Sequence, residues 1–297
     1  MGIDGSIQVI VNACAGTSEN TAFVHQLKQH MNGDGRFRIS IAETGPALVA
    51  LLKEAVANDA RVVVAAGGDG TVNTVASSLV GTSKILGVLP TGTLNHFAKD
   101  LRLPLELPEA IETIAKGNTA IVDVGEVNGH VFVNNSSLGL YPHIVEEREK
   151  QQRLGIGKWS AFFWAMLSVL RRYPFVEVRL TLEGLSVERR TPFVFIGNNR
   201  YEMEGFNIGA RSRLDGNELS LYTTRQISRM GLLVLGLRAL FKRLRYDSDF
   251  LDATAREIWI HSRHRRLRVA LDGEVRVLTP PLHYRTLPQS LRVIVPS

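Results

Sequence analysis

The segment from Val62 to Asn73 constrains the fold of this 297-residue chain most strongly. An apolar run rich in valine ends in Gly67-Gly68-Asp69-Gly70-Thr71, and a helix-compatible segment follows. Glycines allow a backbone to approach a ligand closely, and the N–H groups at the start of a helix bind phosphate. An aspartate in such a loop would repel phosphate unless a cation lay between them. The segment therefore indicates a site for a nucleotide and a metal ion.

Strand and helix patterns alternate through the first third of the chain. Strands are predicted at 7–11, 37–42, 62–66 and 85–89, and helices at 18–31, 47–57 and 71–80. Helices of this length between strands act as crossover connections, so we expect a parallel sheet. Ligands gather at the carboxyl ends of such strands, where the loops at Gly67 and Gly92 both lie.

The pattern changes near residue 120 to one typical of antiparallel strands. Asn128-Gly129 between apolar segments at 121–127 and 130–135 predicts a hairpin with a type I′ turn. Polar and apolar residues alternate at 176–182, and further strands are predicted at 187–196, 219–222 and 267–271. We therefore expect a mainly antiparallel second domain with two inserted helical stretches and a boundary near 120–130.

Basic residues are concentrated in the second half of the chain. The formal net charge is +6, and arginines crowd 225–245 and 256–268. A basic surface favours nucleic acid, anionic lipid or a polyanionic substrate, although a solvated surface explains it equally well. The single cysteine, Cys14, excludes an internal disulfide, and the longest apolar run, at 161–170, is too short to span a bilayer. We expect a cytoplasmic protein that touches the inner face of the membrane peripherally.

Two helical segments in the second half allow a membrane role or a packing role. The aromatic-rich segment at 159–166 is flanked by basic residues, which suits either the core or the headgroup region of a bilayer. The basic segment at 225–245 predicts an amphipathic helix that packs on the surface or touches a membrane.

Two more motifs accompany the first loop. In Pro90 to Ala98, Thr93 and Asn95 offer short polar side chains at a predicted helix start, next to the loop at Gly67. The other motif is Asp272-Gly273-Glu274. Taken alone, the first motif predicts a capping turn and the second a hairpin turn.

Together these motifs resemble the lipid kinases with a diacylglycerol kinase catalytic domain, a family that includes sphingosine and ceramide kinases. The matching segments follow one another along almost the whole chain, at 12–16, 67–73, 92–98, 123–125, 132–139, 214–216 and 272–274. The Gly-Gly-Asp-Gly signature is shared with NAD kinases, whereas the Gly-Thr-x-Asn-x-Phe-Ala element favours the lipid branch.

The resemblance implies an α/β plus β architecture like that of NAD kinases and diacylglycerol kinases. It implies a Rossmann-like, three-layer α/β domain at 1–125, which binds the nucleotide. A mainly antiparallel β-sandwich domain would follow at 126–297, and the extreme C-terminus would return to the first domain. ATP would lie between the two domains.

The resemblance also implies roles for individual residues in transfer of phosphate from ATP with Mg²⁺. Glu274 corresponds to the general base, and Asp69 and Asp123 to the network around the catalytic Mg²⁺. A second Mg²⁺ would be held by Asp215 with backbone oxygens near Ser212 and Asn217. The residues that correspond to the nucleotide cradle are Asn12, Gly67, Gly68, Asp69, Gly70, Thr71, Thr93 and Asn95.

The chain departs from the family pattern at Thr74 and His96, where an acidic residue is usual in both places. An active enzyme is still expected, with a lipid substrate of the diacylglycerol-like or sphingoid-like class. The partners expected are this lipid and an anionic membrane surface. Nucleic acid is not favoured, and a homodimer stays open. The alternatives are a NAD kinase-like enzyme with a soluble acceptor, and a non-catalytic protein that binds lipid or nucleic acid.

Overall fold

A computed structural model describes residues 5–13, 18–31, 33–139, 175–204, 207–224 and 250–297. The chain divides into two compact units, Met1–Val124 with Pro288–Ser297, and Gly125–Leu287. Cys14, the aromatic-rich segment at 159–166 and the basic segment at 225–245 lie outside the described residues.

The first unit is built from alternating strands and helices. Its elements are β1 (Ile7–Asn12), α1 (Ser18–Met31), β2 (Phe37–Ala42), α2 (Gly45–Ala57), β3 (Val62–Gly67), α3 (Asp69–Leu79), β4 (Ile85–Pro90), α4 (His96–Asp100), α5 (Leu107–Lys116) and the first part of β5 (Thr119–Val127).

The strands of the first unit form the predicted parallel sheet, in the order β2-β1-β3-β4. The end of the last strand of the chain adds to this sheet beside β4, also in parallel, with Arg292 opposite Ile85. All six residues of β3 are buried, as expected for a strand covered on both faces. The carboxyl ends of β1, β3 and β4 are therefore neighbours at one edge of the sheet.

The second unit consists mainly of antiparallel strands. It contains the end of β5, then β6 (His130–Phe132), β7 (Asn135–Gly139), β8 (Val176–Leu182), β9 (Leu185–Thr191), β10 (Phe193–Asn198), β11 (Tyr201–Glu204), β12 (Asn207–Arg211), β13 (Leu219–Thr224), β14 (Phe250–Ala255), β15 (Glu257–Ser262), β16 (Leu267–Leu271), β17 (Glu274–Leu278) and most of β18 (Leu282–Ile294).

Two sheets of the second unit share one apolar core. One sheet has the order β14-β13-β10-β7-β16-β17, and in the other β18, β15, β8 and β9 follow one another. The core combines Ile258 and Tyr284 from one sheet with Ile196 and Val269 from the other, and each of these is fully buried. The predicted combination of a parallel α/β domain and an antiparallel β domain is confirmed.

The structure corrects three predicted boundaries. Helix α3 begins at Asp69 instead of Thr71, because Gly68 occupies the extended N-cap position. The strand predicted at 187–196 is broken at Pro192, which has no N–H group to donate. The return strand predicted at 130–135 ends at Phe132, because the next three backbone N–H groups bond to the side chain of Asp272.

Of the helices in the described part of the chain, none is both long and apolar enough to cross a membrane.

Candidate active site

Two glycine loops meet at the carboxyl ends of adjacent strands of the first unit. Gly67 ends β3 opposite Pro90 at the end of β4, and the N–H of Thr91 donates to the carbonyl of Gly67 at 3.2 Å. A Cβ atom added to Gly92 would lie 2.6 Å from the Cα of Gly68. Glycine is therefore needed at Gly92 because the two backbones pass so close to each other.

In the first loop, Gly67 must be glycine because α3 packs closely on the end of β3. A Cβ atom on Gly67 would lie 2.5 Å from the hydroxyl oxygen of Thr71. That hydroxyl accepts a hydrogen bond from the side-chain amide of Asn12 at 2.8 Å. Thr71 lies inside α3 and is not its cap. The N-cap residue is Gly68, which makes no side-chain capping bond. The predicted residues Asn12, Gly67 and Thr71 form one contact at the ends of β1 and β3.

Asp69 lies in the first turn of α3, at the end of the helix that carries partial positive charge. One carboxylate oxygen accepts a long hydrogen bond of 3.4 Å from the backbone N–H of Phe97, in the short helix after the second loop. A first-turn aspartate also stabilises the start of a helix by itself. The bond to Phe97 links the first turn of α3 to the short helix that follows the second loop.

The side chain of Asn95 shapes the second loop from within. Its amide oxygen accepts from the N–H of Gly92 at 3.0 Å, and its amide nitrogen donates to the carbonyl of Gly92 at 2.7 Å. Asn95 adopts the left-handed conformation, with φ of 51°, which asparagine tolerates better than most residues. Its contact with a nucleotide stays a prediction, as does that of Thr93, whose side chain is exposed.

Thr74 and His96 stand where the family that this sequence resembles usually has an acidic residue. The hydroxyl of Thr74 donates to the carbonyl of Gly70 at 2.8 Å, one turn earlier in α3. His96 is the exposed first residue of α4.

On α3 the side-chain oxygen of Asn73 is buried and has no hydrogen-bond partner among the described residues. A buried acceptor of this kind is costly, which makes Asn73 a further residue of interest beside the loop.

Asp123 is buried near the end of the first unit, where it holds the returning C-terminal segment. It is 2% exposed, and one oxygen accepts from the backbone N–H of Gln289 at 2.8 Å. This bond joins β5 to the C-terminal strand within the unit. The predicted link of Asp123 to a metal network stays a prediction.

Glu274 begins β17 in the second unit, directly after the Asp272-Gly273 turn. Both turn residues have positive φ, 46° and 90°, so the hairpin interpretation of this dipeptide is confirmed. The Glu274 side chain is 48% exposed and lies 3.6 Å from the guanidinium of Arg276 on the same strand. An exposed carboxylate can act as a general base where a substrate hydroxyl group lies within hydrogen-bond reach.

The side chain of Asp272 has a structural role that its turn motif does not reveal. Its two oxygens accept backbone N–H groups from Val133, Asn134 and Asn135 at 2.7, 2.9 and 2.8 Å. Burial raises the pKa of the Asp272 carboxyl to about 6, whereas the three N–H donors and nearby Arg211 act in the opposite direction. The turn that carries Glu274 is therefore fixed to the chain 137 to 139 residues earlier.

Arg211 extends this buried polar cluster. Its guanidinium donates to the carbonyls of Val133 and Asn198, at 2.7 and 3.0 Å, and to the side chain of Asn134 at 2.9 Å. In the sequence, the adjacent asparagines Asn134 and Asn135 follow an apolar segment and indicate that the strand ends near them. A buried arginine has no comparable signal, because it looks like any other basic residue in the sequence.

The predicted residues of the second metal site lie in one loop of the second unit. The N–H of Gly216 donates to the side chain of Asn199 at 2.8 Å, and Asn217 has a φ of 53°. Asp215 accepts from the guanidinium of exposed Arg213 at 3.1 Å. In the described ranges no three His, Cys, Asp or Glu side chains are grouped as metal ligands. The predicted set combines one carboxylate with backbone oxygens, so it stays a prediction.

A parallel α/β unit with paired glycine loops, followed by an antiparallel β unit, defines a class of two-domain kinase folds. Family models match both parts of the chain. Residues 6–127 match the diacylglycerol kinase catalytic domain, and residues 141–295 match the YegS C-terminal NAD kinase beta sandwich-like domain. The chain therefore belongs to the family of kinases that combine these two domains.

Curated relatives agree with this assignment. An uncharacterized protein of Synechocystis sp. is 26% identical over 304 residues, 97% of this chain and 70% of that protein. "Diacylglycerol kinase" of Staphylococcus carnosus is 28% identical over 172 residues, which is 57% of this chain and 56% of that protein. "Probable lipid kinase YegS-like" of Pectobacterium atrosepticum is 35% identical over 120 residues, 39% of this chain and 40% of that protein. The chain thus matches about half the length of the latter two relatives.

Solved structures share the fold over nearly the whole chain. A diacylglycerol kinase from Bacillus anthracis str. Sterne has a TM-score of 0.70 and 20% identity, with 98% of this chain and 96% of that chain covered. Yeast NADH kinase complexed with NADH has a TM-score of 0.60 and 10% identity, with 99% and 84% covered. At such identities the similarity shows the fold alone.

Proposed function

We propose that this protein is an ATP-dependent lipid kinase that transfers the γ-phosphate to a hydroxyl group of a diacylglycerol-like or sphingoid-like lipid. One observation carries the proposal. In a chain of this kinase family, two glycine loops meet at adjacent strand ends, and the Asp69 carboxylate, at a helix start, accepts the N–H of Phe97 just after the second loop. Relatives named as lipid kinases support the choice of a lipid acceptor.

The first loop and the start of α3 bind the phosphates of ATP in this proposal. Backbone N–H groups at a helix start donate to phosphate oxygens, and the helix dipole favours negative charge there. Asn12 holds Thr71 at 2.8 Å and so keeps the first turn of α3 on the ends of β1 and β3. Asn95 makes two hydrogen bonds to Gly92, and these hold the second loop in one conformation beside the first.

The residues around Asp69 fit a magnesium ion chemically. The hydrogen bond from Phe97 to its carboxylate is long, at 3.4 Å, so lone pairs of the carboxylate remain for a hard cation. Asp69, supported by Asp123, would hold Mg²⁺, which when bound neutralises charge on the phosphates. Asp215 with backbone oxygens near Ser212 and Asn217 would hold the second Mg²⁺.

Glu274 is the general base of the proposed reaction. The lipid hydroxyl oxygen forms a bond to the γ-phosphorus, the bond from that phosphorus to the β–γ bridging oxygen breaks, and ADP leaves. The hydroxyl proton passes to the Glu274 carboxylate. Asp272 positions this carboxylate because its three backbone hydrogen bonds fix the turn on which Glu274 begins β17.

Mass spectrometry of reaction products tests the proposal directly. The protein is incubated with ATP, Mg²⁺, a total lipid extract and NAD in one mixture, and phosphorylated products are identified. We expect a phosphorylated lipid that is absent from the matched Asp69→Asn reaction. Formation of NADP without a phosphorylated lipid would contradict the proposal and favour the NAD kinase-like alternative. Product formation at the same rate by Asp69→Asn would contradict the role of Asp69.

A further inference from the structure

A cleft rich in arginine lies in the second unit, where the β8–β9 hairpin meets the end of β15. The cleft has a volume of about 430 Å³, and its basic lining residues are Arg179, Arg189, Arg190, His261 and Arg263. This volume falls in the range of small-ligand sites. We name this site the arginine cleft and define it by Arg179, Arg190, His261 and Arg263.

The arginine cleft carries excess positive charge. Two acidic residues line it, Glu177 and Glu188, against four arginines. Glu188 is paired with Arg179 at 2.7 Å. The hydrogen bond and the charge of Arg179, and then the charge of Arg263, lower the pKa of the Glu188 carboxyl. Glu177 lies 3.9 Å from Arg190, at the limit of an ion pair. Arg189 lies opposite Val178, whose side chain is in the core, so its side chain is on the other face of the β8–β9 hairpin from Arg190. The three remaining arginines less the two glutamates leave a net charge of +1 in the lining, with His261 counted as neutral.

Further basic residues extend this charge along the rim of the cleft. The turn after β15 continues from Arg263 through His264, Arg265 and Arg266, all of them exposed. This is the second of the two basic segments of the sequence, and the kinase site does not use it. Arg190 lies on β9, which pairs only with β8 among the described strands, so the cleft opens at an edge of its sheet.

The chemistry of the lining fits phosphate groups. Guanidinium groups present several N–H donors in a fixed plane and bind phosphate oxygens in pairs. Stacking of nucleic acid bases requires a free aromatic face, and the nearby Trp259 ring is already stacked on His283 at 3.9 Å. A membrane surface presents many phosphate groups in one plane, which suits an open cleft with a basic rim.

We propose that the arginine cleft binds phosphate groups of anionic phospholipids and docks the protein on an anionic membrane surface. The choice of a bilayer rests on the proposed function, because a lipid kinase must reach an acceptor that resides in a membrane. The cleft itself is separate from the loops at Gly67 and Gly92, which belong to the first unit.

Sedimentation with vesicles tests this proposal without ATP. The full chain is mixed with vesicles of phosphatidylcholine alone or with added phosphatidylglycerol, and the bound fraction is measured. We expect binding only to the vesicles that contain phosphatidylglycerol. The variant Arg190→Gln/Arg263→Gln should bind them roughly thirtyfold more weakly, since each basic residue at an anionic surface contributes about 1 kcal/mol.

Two matched variants separate local binding from general charge and from misfolding. Lys53→Gln/Arg256→Gln removes the same charge from exposed positions outside the cleft, on α2 and before β15. Arg190→Lys/Arg263→Lys keeps the charge of the cleft. Both should bind the anionic vesicles within about threefold of the wild type, and thermal unfolding should be unchanged in all three variants.

Equal loss of binding in the cleft variant and in Lys53→Gln/Arg256→Gln would overturn the proposal, and so would equal binding to both kinds of vesicle. Steeply salt-dependent binding to DNA without binding to anionic vesicles would also overturn it. Phosphorylation of a lipid dispersed in neutral detergent micelles is measured in parallel. Because the cleft variant should retain that activity, failure of docking and failure of the kinase proposal are told apart.

Discussion

The backbones of Gly68 and Gly92 pass so close together that a Cβ atom on Gly92 would lie 2.6 Å from the Cα of Gly68. The same atom would lie 2.8 Å from the side-chain oxygen of Asn95. The two loops of the proposed ATP site are thus held in one arrangement by contacts between main-chain atoms. Any side chain at Gly92 must push them apart.

Gly92→Ala should therefore separate the loops and weaken both folding and catalysis. We expect a loss of about 1–3 kcal/mol in the free energy of unfolding, typical of overpacking at a tight contact, and a larger relative loss in phosphoryl transfer. Chemical denaturation and the kinase assay measure the two effects. Gly35→Ala is the matched control, because a Cβ atom there meets nothing within 4 Å. Equal stability and activity of the two variants would contradict the described contact.

Asn95→Asp should destabilise the second loop although its shape is nearly unchanged. The amide nitrogen that donates to the carbonyl of Gly92 at 2.7 Å becomes a carboxylate oxygen, which repels that carbonyl. We expect a loss of about 1–3 kcal/mol in the free energy of unfolding, because a satisfied acceptor loses its donor. If Asn95→Asp unfolds at the same denaturant concentration as the wild type, Asn95 does not hold the loop as described.

The Asp272 carboxyl should make stability depend on pH in a defined window. Its pKa of about 6 in the folded chain lies above the ordinary value of 3.8, so the folded state holds the proton over a range in which the unfolded state has lost it. The contribution of Asp272 to the free energy of unfolding should therefore fall as the pH rises from about 4 to about 6, by about 3 kcal/mol.

Denaturation of the wild type and of Asp272→Asn across this pH range isolates the effect of Asp272. The unfolding free energy of the wild type minus that of Asp272→Asn should decline with rising pH and become constant above about pH 7. A difference that grows with rising pH would contradict this prediction. It would mean that the three N–H donors lower the pKa of Asp272 more than burial raises it.

Periodicity and turn residues predict much of this fold correctly. The bounds of α1 at 18–31, β2 at 37–42 and β16 at 267–271 agree with the structure, because apolar spacing and local breakers define them. The Asn128-Gly129 turn also forms as predicted, with φ of 47° and 82°. The meeting of the two glycine loops follows from the rule that parallel strands end at one edge of a sheet.

Features that depend on distant partners could not be predicted in the same way. The return strand ends early because Asp272, more than 130 residues later, accepts the N–H groups that would otherwise continue the ladder. The local pattern identifies Asp272 only as a turn residue. Similarly, Asn95 uses both amide atoms on Gly92, whereas its position in the motif suggests a ligand contact. Arg211 is buried for a reason that appears only in three dimensions.

Asp69, at the start of α3, serves transfer of phosphate from ATP to a lipid in the proposed reaction. Transfer of labelled γ-phosphate to diacylglycerol and sphingoid acceptors in mixed micelles tests it most directly. The comparison is between the wild type, Asp69→Asn, and the control Asp59→Asn at a side chain that is 73% exposed. We predict labelled lipid with the wild type and the control, and a loss of about a hundredfold or more with Asp69→Asn. No labelled lipid with the wild type, or equal labelling with Asp69→Asn, would contradict the account.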